Sequence, residues 1–198
     1  MRTLALSCLL LSSAVAMAQS VHPIKQVDDS HYEMDLRRHG EVRMHIQPSD
    51  LRISGSDEEK IKVHYWSNRD DSSDVKVRLE SSGNTANVSV ANGPHNDFHV
   101  EIQIPKKSDL YLRIGAGKVD VHNVAGDKNI ELSAGELDVQ VGDADDYSEV
   151  EASVYTGDLN ASAFGVNKGG LFRSFHKKGP GEYRLYAHVG AGQIRLVP

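Results

Sequence analysis

The chain has 198 residues, with 28 acidic and 22 basic side chains and a net charge of −6. That balance argues against nucleic acid or anionic membrane as a general partner, since both are held by a surplus of Lys and Arg. A single cysteine, Cys8, leaves no disulfide framework and no thiolate metal centre, so burial and backbone pairing must hold the fold together.

Residues 1–18 read as a secretory signal: Arg2 supplies the positive start, Leu4 to Leu11 an apolar run, and Ala16-Met17-Ala18 a small-x-small cleavage site. The mature chain is expected to begin at Gln19, and cleavage removes Cys8 with the leader. The apolar run is too short to span a bilayer and no later stretch reaches the necessary length, so no transmembrane span is expected. The implied location is exported, either periplasmic or at the cell surface.

After the leader, helical periodicity is absent and period-two alternation recurs, which predicts an all-β chain. Tyr32 to Leu36 and Glu41 to Ile46, around Arg38-His39-Gly40, have the pattern of a hairpin. Further strands are expected at Leu51 to Ser54, Lys60 to Trp66, Asp74 to Glu80, Ala86 to Val90 and Phe98 to Ile104. Their connectors, such as Asn68 to Ser72 and Asn92-Gly93-Pro94, are rich in residues that tolerate positive φ or bond to their own backbone.

From Pro105 onward a phrase recurs. Leu110 to Val121 (LYLRIGAGKVDV) returns as Leu185 to Leu196 (LYAHVGAGQIRL), with looser copies at Glu131 to Val139 and Ser153 to Ala161. In each, a strand of alternating apolar residues meets a glycine (Gly117, Gly135, Gly157, Gly192) and continues as a second short strand. Leu110, Leu112, Ile114, Val119 and Val121 are expected to face inward, as are Ile130, Leu132, Leu137 and Val139, with Lys118, Asp120, Glu136 and Asp138 outward. No single turn buries its row alone, so the repeat predicts a single β-solenoid, β-helix-like, built of stacked short strands over residues 19–198. Residues 105–198 hold the clear repeats, and residues 19–104 either continue the stack or form an N-terminal β cap.

The run Ile104-Pro105 to Leu110, followed by Gly-x-Gly-x-Val-x-Val and the spaced Ser-Ala-Gly and Thr-Gly phrases, resembles the adhesin-like families of bacterial envelope proteins. These are domains of unknown function with β-helix-like stacked-strand folds. The resemblance is best over residues 98 to 198 and implies export, an all-β fold and no established catalytic residue.

Three constellations stand out. The repeat alignment stacks Asp120 and Asp138, with Asn160 and Arg195 in the same column, and Lys118 with Glu136, Asp158 and Gln193 in another. The acidic pair reads as a solvated face, as a calcium site of Asp120, Asp138 and Asn160, or as the carboxylates of a glycosidase. The segment Gly165 to Gly181 reads as a Gly-rich insertion carrying Phe172, Arg173, Phe175, His176, Lys177 and Lys178. That set is a candidate contact for sugar rings or acidic polymers, or a cover over the open end of the stack. Asp143 to Glu149 lacks the order of a calcium loop, and His95 and His99 on one strand face lie about 13 Å apart, too far to share a metal.

The chain has no Gly-x-Ser-x-Gly elbow and no phosphate loop, since no helix follows Gly115-Ala116-Gly117. The reading is a non-catalytic exported interaction module without a cofactor, whose partner is an envelope or extracellular glycan or protein. Its alternatives are a polysaccharide-degrading enzyme on a β-helix, and a structural or regulatory envelope protein that acts through protein contacts, including self-association at sheet edges.

Overall fold

The computed structural model describes residues 24–68 and 74–198. The leader and residues 69–72 of the Asn68–Ser72 connector lie outside the described residues. Eight strands make up the first part: β1 (Lys25–Gln26), β2 (His31–Asp35), β3 (Glu41–Ile46), β4 (Ser49–Ser56), β5 (Lys60–Ser67), β6 (Lys76–Ser82), β7 (Thr85–Ala91) and β8 (Phe98–Pro105). Five longer ones follow: β9 (Asp109–His122), β10 (Lys128–Gln140), β11 (Tyr147–Ala161), β12 (Val166–Lys178) and β13 (Tyr183–Val197). Apart from 3₁₀ turns at Ala144–Asp146 and Ser162–Phe164, no helix occurs among the described residues. The fold is all-β and solenoid-like, as the alternation and the repeats predict.

Each long strand bends at its glycine and so belongs to two walls. The first half of β9 lies parallel to β3, and its second half lies parallel to β4. The segment β3-Gln47-Pro48-β4 is therefore an earlier rung broken at the corner. The parallel rungs run β3/β4, β9, β10, β13, β11, and β12 closes the stack antiparallel to β11. Beyond β3 the first wall continues through β7 and β6. Beyond β4 the second wall continues through β8, β5, β2 and β1.

The period-two rows supply the core between the walls. Leu110, Leu112, Val119 and Val121 of β9, and Ile130, Leu132, Leu137 and Val139 of β10, are all buried, and they belong to one apolar cluster that reaches from Met34 to Leu196. Each such aliphatic side chain contributes about 1.5–3 kcal/mol when removed from water. The rows are legible because a strand turns alternate side chains to opposite faces.

The corners depend on glycine for two reasons. Gly117, Gly135, Gly157 and Gly192 hold φ between +131° and +138°, where a Cβ is strained. A Cβ on Gly135 would also lie 1.9 Å from the Gly117 carbonyl oxygen, one on Gly192 1.8 Å from that of Gly135, and one on Gly157 1.7 Å from that of Gly192.

One expectation is corrected. The hairpin of residues 32–36 and 41–46 does not form: β2 pairs antiparallel with β5 in the second wall, while β3 sits parallel between β7 and β9 in the first. His39 takes φ +59° between them and donates its backbone N–H to the Lys107 carbonyl at 2.9 Å. The repeats are not stacked in chain order, because β13 inserts between β10 and β11. A hairpin of β11 and β12 leaves that slot, and the last strand fills it with parallel pairing on both sides.

Gly192→Ala should lower the stability of the fold by roughly 3 kcal/mol or more, because backbone on both sides blocks relief of the contact. Gly83, at φ +62° with open space around its Cβ direction, should lose about 1 kcal/mol on the same change. Urea midpoints of the two variants measure the difference, and equal losses would contradict the packing argument.

Candidate functional site

The segment expected as a Gly-rich insertion is a strand. β12 runs the length of β11 as the edge of the stack, and Gly170, at φ +116°, pairs with Gly157 so that the edge strand turns the same corner. Its candidate residues do not converge. Phe175 is buried against Phe164, with ring centroids 5.5 Å apart, and the Lys177 ammonium lies over the same Phe164 ring. His176 Nε2 meets Glu149 Oε1 at 3.0 Å on the outer face. Phe172 is 68% exposed at φ +55°, edge-on to the exposed Tyr155 ring. Arg173 and Lys178 are exposed, and no Asp or Glu occurs from Val166 to Lys178. Phe175 covers the end of the core, and Lys168, Arg173, Lys177 and Lys178 make β12 a basic edge on an acidic protein.

The carboxylate column has the expected register and an unexpected neighbour. Asp120 pairs with Asp138 across β9 and β10, but the rung beyond Asp138 is β13, so the next side chain is Arg195 and Asn160 lies one strand further. Arg195 donates through Nε to one Asp138 oxygen and through a terminal nitrogen to the other. A calcium site needs its oxygen ligands together, and here a guanidinium separates two of the three. A glycosidase nucleophile needs a free carboxylate oxygen, and both of those on Asp138 are engaged. Burial, opposed by Lys118 and reinforced by the Asp138 charge, pushes the Asp120 carboxyl above the ordinary aspartate range.

Lys128 is a buried cation. It occupies the column of Leu110 and Leu185, points into the core and is 1% exposed. Its ammonium donates to the Gly126 carbonyl at 3.1 Å and to the Tyr147 hydroxyl at 2.9 Å, and that hydroxyl donates to the Val141 carbonyl at 3.2 Å. Burial pushes its pKa down to about 8, against the pull of Asp127, Asp109 and Asp146. The signal was present in the repeat: a lysine aligned with two leucines at an inward position.

On the outer face of the second wall, four rings form a row. His31 and His64 stack at 3.9 Å, His64 and Trp66 at 4.9 Å, and Trp66 and His99 at 5.1 Å. His31 Nδ1 meets Asp28 at 2.7 Å and His99 Nε2 meets Asp97 at 2.9 Å. Parallel imidazoles hold their lone pairs in separate planes, so His31 and His64 do not converge on a shared ion. His95 is exposed ahead of β8 and not on one strand with His99. Asp143 accepts the Asp145 backbone N–H at 2.9 Å and caps the 3₁₀ turn. Among the described residues no cluster of three or more His, Asp or Glu side chains is placed to hold a metal ion.

The stacked two-walled architecture has a family counterpart, since the sequence matches the Toastrack DUF4097 family over residues 41–169, more than half of the chain. The chain belongs to the Toastrack DUF4097 family. The Toastrack match starts at the first residue of β3 and ends within β12, so it takes in the broken rung and three of the glycine corners. Among solved structures this Toastrack chain is similar to a "putative cell adhesion protein" from Clostridium sporogenes, at 15% identity and a TM-score of 0.49, over 88% of this chain and 99% of the other. It is also similar to a "putative adhesin" from Parabacteroides merdae, at 10% identity and a TM-score of 0.23, over 56% and 60% of the two chains. No curated protein matches the Toastrack sequence.

Two substitutions test the electrostatics. Lys128 loses its proton at about pH 8 in the fold but at 10.5 when unfolded, so between those values the unfolded chain binds more protons and stability rises with pH. Lys128→Leu should therefore be more stable than the parent at pH 7, by roughly 1–3 kcal/mol, with the gap narrowing toward pH 10. A constant gap in pH-dependent denaturation would contradict the buried charge. Asp120 has a raised pKa, so its ionisation costs stability at neutral pH and the cost vanishes below 3.8, where both states are protonated. Asp120→Asn should stabilise at pH 7 and lose that advantage in acid; a destabilised neutral-pH variant would contradict the strained pair.

Proposed function

We propose that this Toastrack chain is an exported, non-catalytic interaction module of the bacterial envelope, which presents a rigid two-walled surface to an acidic ligand. The observation that carries the reading is β12: an edge strand with Lys168, Arg173, Lys177 and Lys178, no acidic residue, and the exposed apolar side chains Leu171 and Phe172. Cations beside exposed aromatic and aliphatic groups suit an acidic polymer, which gains charge pairing and stacking together. The same cations oppose edge-to-edge pairing with another strand, a common device for keeping a sheet edge from aggregating.

Export is supported by the leader pattern of residues 1–18. No described helix is long and apolar enough to cross a membrane. A non-catalytic role is supported by the Asp120 and Asp138 pair, which Arg195 holds as a surface ladder, and by the absence of a nucleophile elbow.

Polygalacturonate is a suitable acidic probe. The parent should retain it on a column and release it as salt rises, and the combined Arg173→Ala, Lys177→Ala and Lys178→Ala variant should bind at least about ten-fold more weakly with an unchanged far-UV circular dichroism spectrum. Equal retention would remove β12 from the proposal. Release of reducing ends or unsaturated products would overturn the non-catalytic assignment.

A further inference from the structure

The outer face of the first wall carries a second arrangement, remote in chemistry from the basic edge. Two rows of side chains cross its strands at right angles. Strand register places Asn87, Arg43, Tyr111, Asn129, Tyr186 and Glu151 in one row, on β7, β3, β9, β10, β13 and β11 in turn. The parallel row on the same strands is Ser89, His45, Arg113, Glu131, His188 and Ser153. Along them lies a trough of about 400 Å³ that reaches to β10, followed by one of about 200 Å³ that continues to β11. Asn129 and Glu131 line both, so the two form one track that crosses six strands, roughly 24 Å.

The charges along the track are paired with one another. Arg43 donates to Glu41, Arg113 lies 3.2 Å from Glu131, and Arg78 lies 3.7 Å from Glu80 at the outer end. Further contacts link its side chains. The Arg43 guanidinium lies over the Tyr111 ring at 5.4 Å, the Tyr186 hydroxyl donates to Glu149 at 2.8 Å, and Ser153 and His188 share a hydrogen bond of 2.9 Å. Tyr111 and Tyr186 stand in one row with Asn129 between them, so their backbones are two strand spacings apart, roughly 10 Å. That separation is the length of a disaccharide unit in an extended chain.

We propose that this face binds a linear neutral glycan laid across β3, β9, β10 and β13. Sugar rings stack on Tyr111 and Tyr186, and Asn129 with the compensated Arg113 and Glu131 pair hydrogen-bonds the hydroxyls between them. Amide, guanidinium and carboxylate groups held side by side match neighbouring hydroxyls, which both donate and accept. An acidic polymer would have to displace the carboxylates that already neutralise the arginines. A peptide finds no open backbone edge here, since β3, β9, β10 and β13 are paired on both sides.

Isothermal titration with cellohexaose and with chitohexaose tests this on the full mature chain. At least one hexaose should bind with a dissociation constant in the micromolar to millimolar range, more tightly than its trisaccharide and independently of salt. Tyr111→Ala and Tyr186→Ala should each weaken it about ten-fold, as loss of a stacking ring does, while Tyr111→Phe retains binding. Failure of both hexaoses to bind at millimolar concentration would overturn the proposal, as would equal binding by Tyr111→Ala. Salt-sensitive binding of polygalacturonate alone would overturn it too, while leaving the separate reading of β12 standing.

Discussion

The structure depends on a column of carbonyl oxygens that pass where side chains would otherwise be. At the corner, the carbonyl of Gly117 occupies the space beside Gly135, that of Gly135 the space beside Gly192, and that of Gly192 the space beside Gly157. Positive φ lets each strand turn without leaving its ladder, so both halves of a rung stay paired in register with the next. Two walls then face each other across a narrow aliphatic core. The earlier rung reaches the same geometry differently, by breaking at Pro48 and placing Ser49 opposite Gly117. The closing strand β12 carries Gly170 opposite Gly157, which explains a glycine in a segment that otherwise looks like an insertion.

Strand order decides the surface chemistry. Had the rungs stacked in chain order, Asp138 would face Asn160, and the column would present three oxygen-bearing side chains in succession. Insertion of β13 instead sets Arg195 beside Asp138 and turns a candidate site into an ion-pair ladder. The same insertion brings Tyr186 within one strand of Asn129 and completes the track on the first wall.

Much of this was legible in the sequence. The inward rows of β9 and β10 follow from period-two alternation, and the columns of Lys118 with Glu136 and Asp120 with Asp138 follow from aligning the repeats on glycine. Strand neighbours did not follow, because an alignment fixes register and is silent on which rung lies beside which. The basic segment looked like a loop because its glycines suggested turns, whereas Gly170 serves the shared corner and Val166 to Lys178 pairs along β11. The pairing of β2 with β5 was hidden by the short interval between residues 36 and 41, which suggests a hairpin although the two flanking strands lie in different walls. The track on the first wall was invisible for the same reason as Arg195: its rows join side chains from β7, β3, β9, β10, β13 and β11, whose adjacency only the fold supplies.

The most direct measurement is the set of interstrand nuclear Overhauser contacts at the corner of the isotopically labelled protein. The account predicts backbone contacts from Gln193 to both Glu136 and Asp158, and from Gly192 to both Gly135 and Gly157. Contacts that join Glu136 directly to Asp158, with Gln193 elsewhere, would contradict the inserted rung and the glycine column together.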